Sequence, residues 1–282
     1  MDENVPELAR PRGSGRGRSR LPKILVKNTA MRHVLIILAA VLLVALFGLV
    51  HQQWSPMHRW NRATADASIV MLSMTMALGP LAKLWPAWGR LLPFRRELGV
   101  HAVLLAFIHT AIILDGWVEW DLARLVGFEF HPGLGHYVMV QHGFGLANLV
   151  GVLALGYGLI LVVTSNDRAL RFLGGPVWKF VQRGAYVLWV LVVAHTAYFL
   201  FMHFLDFHRP TPPTNPLQWP FTLLVLLILV LRWTASIRSW RGRRPADGYS
   251  GYRLGAGASS VNDRSASRLK FGAELNHGKQ SA

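Results

Sequence analysis

The sequence contains no cysteine. This absence excludes disulfide bonds, cysteine nucleophiles and iron–sulfur clusters held by thiolates. The sequence also has no glycine-rich phosphate loop after a strand pattern, and no polar region long enough to form a nucleotide-binding domain. Redox chemistry in this chain would therefore require another kind of cofactor, and a separate molecule would have to supply the electrons.

Acidic residues are scarce as well. The chain has 14 Asp and Glu against 30 Lys and Arg, for a net charge of +16. Of these basic residues, 26 fall in four stretches: residues 1–33, 83–96, 168–183 and 232–282. Because basic loops remain on the cytoplasmic side of a membrane, this distribution predicts that both termini are cytoplasmic. The basic excess then reflects topology and attraction to anionic lipid rather than nucleic-acid binding.

Hydrophobic residues make up 52% of the chain and are gathered in six long blocks. At about 1.5 Å per residue, each block can cross a hydrocarbon core roughly 30 Å thick. We therefore predict an all-α polytopic membrane protein, a six-transmembrane-helix bundle over residues 31–240. The predicted spans are 34–50, 67–84, 98–118, 146–164, 181–203 and 217–233.

The two ends of the chain differ from this bundle in composition. Residues 1–30 and 241–282 are rich in Gly, Ser and Arg and lack hydrophobic periodicity, so we expect disordered cytoplasmic tails. The stretch before the first span is polar and no small-residue cleavage site follows that span, so the span is expected to stay as an anchor. We expect a multi-pass protein of the plasma membrane, which in a bacterium is the inner membrane. The longest outer loop is aromatic, and its Pro132-Gly133 step predicts a turn.

Four of the twelve histidines, His101, His109, His195 and His203, fall within the predicted spans. Ionisable residues at membrane depth usually face the bundle interior and mark a function. His109 and His195 are the pair at matching depth, because their distances from the starts of their spans differ by only about 5 Å. Two such imidazoles on different helices can hold a haem iron from both sides.

Other interpretations of these histidines stay open. Each buried imidazole can instead hydrogen-bond a backbone carbonyl or a neighbour such as Thr110 or Thr196. His101 and His203 lie near opposite faces of the membrane, where water or headgroups can reach them, and neither has a depth-matched partner. A protein of another class, a non-redox transporter or scaffold whose histidines relay protons or pack, is the alternative function. It gains little support, because the spans contain no central carboxylate and no internal repeat.

Two segments resemble the ferric-reductase-like transmembrane family, which includes the membrane domain of NADPH oxidases. Residues 95–109, "RRELGVHAVLLAFIH", are similar to the family's R-R-x-L-G pattern with a haem histidine ten residues after the glycine. Residues 178–195, "WKFVQRGAYVLWVLVVAH", are similar to its W-x-x-x-[HQ]-x-x-x-Y segment, which ends at a second haem histidine. The likeness covers roughly residues 55–235.

The resemblance implies that His109 and His195 are the cofactor-binding and metal-ligating residues, and it gives no catalytic residue. Members with two haems carry further histidines where this chain has Arg95 and Gln182, so a single haem b is expected here. Some relatives use a flavin for electron uptake, and Arg95, Arg96 and Arg183 are cations that could pair with haem propionates or a flavin phosphate. The residues themselves do not show a flavin site, and topology is the favoured explanation of these arginines.

The implied function is electron transfer across the membrane by an oxidoreductase subunit. The donor would be a cytoplasmic flavoprotein or a quinone. The acceptor, at the outer face, would be ferric iron or a periplasmic methionine sulfoxide reductase. His203 and His208 lie where electrons would leave, and we hypothesise that they shape that exit or contact the partner.

Overall fold

The computed structural model describes residues 28–139, 142–202 and 215–241. The predicted tails, His203 and His208 lie outside these residues, apart from the few tail residues next to the first and last helices. Within the described part of the chain the protein is almost entirely helical. Its helices are α1 (Thr29–Val50), α2 (Pro56–Leu84), α3 (Phe94–Gly116), the short α4 (Leu122–Leu125), α5 (His142–Thr164), α6 (Asp167–Gln182), α7 (Ala185–Ala197) and α8 (Gln218–Arg241).

Six helical segments are long and apolar enough to cross a membrane: α1, α2, α3, α5, the α6–α7 segment and α8. This confirms the prediction of an all-α polytopic membrane protein with six transmembrane helices. Helix α2 packs against α1, α3 and α8, while α5 packs against α7. The interior of this arrangement is apolar, with Met71, Met76 and Ile228 almost fully buried.

Helix α2 begins well before the predicted second span. It begins at Pro56, eleven residues ahead of position 67, and proline is well tolerated in the first turn of a helix. The added turns carry His58, Arg62 and Asp66, which repeat every four residues and therefore share one helix face. Hydropathy alone missed these turns because a polar face turned to the bundle interior lowers the local average.

The fifth span is not one continuous helix, as the block 181–203 had suggested. Ahead of this block, helix α6 contains a kink at Gly174, whose φ of 72° is a conformation that favours glycine. Within the block, the helix is interrupted between Gln182 and Ala185. Helix α7 then continues into a π-helical turn over Tyr198–Met202. Such turns free a backbone carbonyl, and here the Gln218 side chain donates to the Leu200 carbonyl at 2.6 Å.

The connection between α3 and α5 contains the only strands in the described residues. Strands β1 (Phe128–His131) and β2 (His136–Met139) pair antiparallel, with Phe130 opposite Tyr137. The turn predicted at Pro132-Gly133 joins them, so that prediction is confirmed. We call the end of the bundle that carries this hairpin and residues 51–55 the hairpin end.

Two side-chain contacts between a basic residue and a carboxylate tie the helices together. At the hairpin end, His51 Nε2 lies 2.7 Å from Asp66 Oδ2 and joins the end of α1 to α2. Near the opposite end, Arg32 of α1 donates to Glu97 of α3 at 2.8 Å, and Glu97 is 1% exposed. Both carboxylates thus lie inside transmembrane helices, outside the shorter predicted spans, and each already has a basic partner.

Candidate haem site

His109 is positioned by a bond to a neighbouring helix. It lies in the second half of α3, and its Nδ1 is 3.1 Å from the carbonyl oxygen of Asn61 on α2. A carbonyl can only accept, so Nδ1 carries the proton and donates. This fixes the tautomer in which Nε2 has a free lone pair.

His195 is held in the same way from the other side of the bundle. It lies near the end of α7, and its Nδ1 donates to the carbonyl oxygen of Ala147 on α5 at 2.7 Å. The ring lies directly against Gly151, where a Cβ atom would be 2.7 Å from His195 Cε1. Glycine at position 151 is therefore needed for this close approach of the ring to α5.

The structure brings these two imidazoles together. Their ring centroids are 6.5 Å apart and their planes meet at 80°. Metal–imidazole bonds, about 2.0 to 2.1 Å long for a first-row metal such as zinc, place two rings on opposite sides of one ion with centroids roughly 6 Å apart. The spacing of His109 and His195 therefore fits a shared metal ion.

The ion would have to arrive with other ligands. In the described part of the chain, no group of three or more His, Asp or Glu side chains is arranged to hold a bare metal ion. A metal inside a macrocycle brings its own equatorial ligands and needs only two axial ones. The two-histidine donor set thus fits a haem iron better than a bare metal ion.

A cavity of about 480 Å³ surrounds the pair and extends toward the hairpin end. This volume is within the range of small-molecule and cofactor sites. The lining is mostly apolar and comes from α2, α3, α5 and α7, with members such as Val103, Leu155 and Val192. A mostly apolar, partly enclosed space of this kind suits a hydrophobic macrocycle.

Hydrogen bonds to backbone carbonyls were the alternative explanation for these histidines, and the structure contains them. They occupy only Nδ1 of each ring. Among the described residues, neither Nε2 atom has a hydrogen-bond partner, although both rings line the cavity. Packing alone leaves these two nitrogens unexplained, whereas metal ligation uses both.

The positions where two-haem relatives carry their other histidines are occupied by locally bonded side chains. Gln182 donates to Thr164 Oγ1 at 3.0 Å, and Arg95 Nε donates to the Thr75 carbonyl at 3.1 Å. Neither residue lines the cavity. Their contacts are those of structural polar residues near the end of the bundle opposite the hairpin.

His101 lies apart from the cavity. It is buried rather than open to water, contrary to the expectation for a residue near a membrane face. Its Nδ1 donates to the Glu97 carbonyl of its own helix at 2.8 Å, and its ring lies 5.3 Å from that of His33. These contacts are those of a packed histidine.

Sequence reasoning gave no weight to several polar residues that line the cavity. His51, His58, Arg62 and Asp66 all face it near the hairpin end. The four-residue spacing from His58 to Asp66 was the available signal, since it marks one face of a helix. The signal for His51 was weak, because nothing in the sequence pairs it with Asp66.

Comparisons with known proteins find one matching family and three bacterial relatives. The sequence pattern of the ferric reductase like transmembrane component family matches residues 64–193, a segment that includes His109 and ends two residues before His195. Three bacterial relatives carry the name protein-methionine-sulfoxide reductase heme-binding subunit MsrQ.

The relative from Herminiimonas arsenicoxydans is 30% identical over 152 residues, which cover 54% of this chain and 63% of the relative. The relative from Azospira oryzae is 28% identical over 176 residues, which cover 58% of this chain and 68% of the relative. The relative from Deinococcus radiodurans is 25% identical over 141 residues, which cover 50% of this chain and 62% of the relative. The chain thus spans about two-thirds of the length of these relatives. With its six transmembrane helices and these matches, the chain is similar to the ferric reductase like transmembrane component family over residues 64–193.

Proposed function

We propose that this protein is a haem-binding membrane subunit that transfers single electrons across the bilayer, with one haem b held by His109 and His195. The observation that carries the proposal is the pair of imidazoles 6.5 Å apart, each with Nδ1 bonded to a carbonyl and Nε2 free. When bound, the haem supplies the one-electron chemistry.

The contribution of the chain is to ligate, orient and bury the cofactor. The Asn61 and Ala147 carbonyls hold the two imidazoles in the ligating tautomer and make them more basic. Because these carbonyls belong to α2 and α5, four helices set the positions of two ligands. The apolar lining keeps water from the iron and lowers the local dielectric, which influences the reduction potential.

The number of haems in the proposal follows from the polar residues at the opposite end of the bundle. Gln182 and Arg95 use their polar groups in local hydrogen bonds, and neither side chain is a usual iron ligand. One haem in the half of the bundle nearer the hairpin end is therefore the proposed content. A flavin at the opposite end has no support from the contacts there beyond the presence of basic residues.

The proposed direction is from a cytoplasmic flavoprotein or a quinone to an acceptor at the outer face, with the hairpin end outermost. The distribution of basic residues along the chain supports this orientation in a bacterial inner membrane. The names of the relatives support a methionine sulfoxide reductase as the acceptor. Ferric iron is the second candidate, as the family name suggests.

The test is the visible spectrum of protein purified in detergent from cells supplied with haem precursors. We expect a Soret band and an α band that appears on reduction, at about one haem per chain. Replacing His109 or His195 with Ala should abolish or severely reduce haem content, because one axial ligand would be lost.

His101→Ala is the matched control, since it removes a buried histidine of α3 that does not face the cavity. It should keep the haem. A colourless wild-type protein would refute the haem proposal, and equal haem loss in all three variants would refute the assignment of the ligands.

A further inference from the structure

Arg62 is a cation in the wall of this otherwise mostly apolar cavity. It lies on α2 directly after Asn61, whose carbonyl orients His109. Its guanidinium carbon is 3.9 Å from the centroid of the Trp54 ring, so the side chain is held by stacking. Stacking fixes the plane of the guanidinium and leaves its edge free to donate hydrogen bonds.

Those donors have no acceptor within the described residues. A guanidinium has five N–H groups, and each can donate a hydrogen bond. The basic residue one turn earlier behaves differently, since Arg59 Nε donates to the Gly48 carbonyl at 2.7 Å. Within the described residues, Arg62 is thus a half-buried cation in the cavity wall whose N–H groups have no hydrogen-bond acceptor.

The nearest acid on the same helix face is already engaged. Asp66 is one turn further along α2, but its Oδ2 lies 2.7 Å from His51 Nε2. In the part of the chain that the structure describes, no ion pair within 4 Å joins Asp66 to Arg62. Asp66 attracts Arg62 electrostatically, but its short contact is with His51, so the guanidinium N–H groups stay open to an anion inside the cavity.

We propose that Arg62 binds a carboxylate of the molecule that occupies the cavity, namely a haem propionate. This inference rests on the proposed function. Haem b carries two propionates, and a stacked guanidinium offers a carboxylate two parallel charge-assisted hydrogen bonds. The pairing would orient the macrocycle with its acidic edge toward the hairpin end.

This assignment moves propionate binding away from the arginines that the sequence had indicated. Arg95 Nε donates to the Thr75 carbonyl. Arg96 Nη1 lies 3.3 Å from Asp167 Oδ1, near the other end of the bundle. Neither lines the cavity. Among the arginines that the structure describes, Arg62 is the one that lines the same cavity as the two imidazoles.

The experiment compares two forms of the cofactor. Full-length protein is prepared without haem in detergent, then titrated with haem b or with its dimethyl ester, in which both carboxylates are blocked. We expect wild type to bind haem b about 10- to 100-fold more tightly than the ester, because charge-assisted hydrogen bonds are lost on esterification. Arg62→Gln should bind the ester as wild type does and lose most of this preference.

Two further variants make the result specific. Arg59→Gln removes an equal charge from the neighbouring turn, at a residue that does not line the cavity, and should keep the wild-type preference. Arg62→Lys keeps the charge without the planar guanidinium. It should show part of the preference for haem b that Arg62→Gln loses. Arg62→Gln should also lower the midpoint potential of the bound haem, because a nearby cation favours the reduced form.

The possible outcomes separate the two proposals. If Arg62→Gln prefers haem b over the ester as strongly as wild type, the Arg62 assignment is wrong and the haem proposal stands. If wild type binds both cofactors equally, a propionate contact is excluded for every residue. If wild type binds neither, both proposals fail. If Arg62→Gln does not fold, the comparison of Arg62→Lys with wild type decides. If both prefer haem b over the ester equally and have the same haem midpoint potential, the bidentate contact is overturned.

Discussion

Replacing Gly151 with Ala tests how closely the His195 ring must pack against α5. A Cβ atom at position 151 would lie 2.7 Å from Cε1 and 2.8 Å from Nδ1 of His195. Carbon atoms in contact are usually about 3.5 to 4.0 Å apart, so the ring must retreat by roughly 1 Å. The contact involves the ring itself, which can move only by turning out of its rotamer or by shifting α7.

The retreat breaks the bond that orients the ring. The distance from Nδ1 to the Ala147 carbonyl is 2.7 Å, and an added 1 Å takes it beyond about 3.5 Å, where a hydrogen bond is lost. Loss of such an orienting partner lowers metal affinity by about 10- to 100-fold. We therefore expect Gly151→Ala to weaken haem binding by about that factor, or by roughly 1.4 to 2.7 kcal/mol.

The measurement is haem affinity by titration of haem-free protein, with the midpoint potential as a second readout. Gly156→Ala is the matched control on the same helix, since a Cβ there meets nothing within 4 Å. It should leave haem affinity unchanged and stabilise the helix by about 0.5 to 1 kcal/mol. Wild-type affinity and potential in Gly151→Ala would show that the His195 ring does not need this position, and the reasoning would fail.

Three further predictions concern polar residues around the bundle. Asp66→Ala should lower the free energy of unfolding by about 1 to 3 kcal/mol, measured by denaturant titration in detergent, because His51 Nε2 loses its partner; unchanged stability would contradict this. Glu97→Ala should cost about 3 to 5 kcal/mol in the same assay, because it removes the buried carboxylate of the Arg32–Glu97 salt bridge, and a cost under 1 kcal/mol would refute it. Gln182→Ala should leave haem content and spectrum unchanged, and a lost haem would disprove a purely local role.

The number of transmembrane helices was predictable because long apolar blocks have few alternatives to spanning a bilayer. The limits of those helices were less predictable where the sequence turns polar while the helix continues. Between Pro56 and Asp66 the polar side chains face the cavity or the α1 helix, so average hydropathy falls although the segment stays helical. The interruption of the fifth span between Gln182 and Ala185 falls inside the predicted block, and average hydropathy does not register it.

The pairing of His109 with His195 was also predictable, since depth along parallel spans is a matter of residue counting. Their orienting bonds were not, because Asn61 and Ala147 contribute backbone carbonyls that any residue type could supply. The requirement for Gly151 depends likewise on a contact between helices far apart in sequence. Arg62 was counted only as one of the few basic residues outside the cytoplasmic stretches, and its role became visible once the cavity was known.

The central claim is that His109 and His195 ligate one haem iron from opposite sides. Electron paramagnetic resonance of the oxidised protein tests it directly. Two imidazole ligands make ferric iron low-spin, and ring planes near 80° apart leave two iron d orbitals almost equal in energy. The account predicts a low-spin, strongly anisotropic signal that disappears in both His109→Ala and His195→Ala. A high-spin signal from wild-type protein, or an unchanged low-spin signal in either variant, would contradict it.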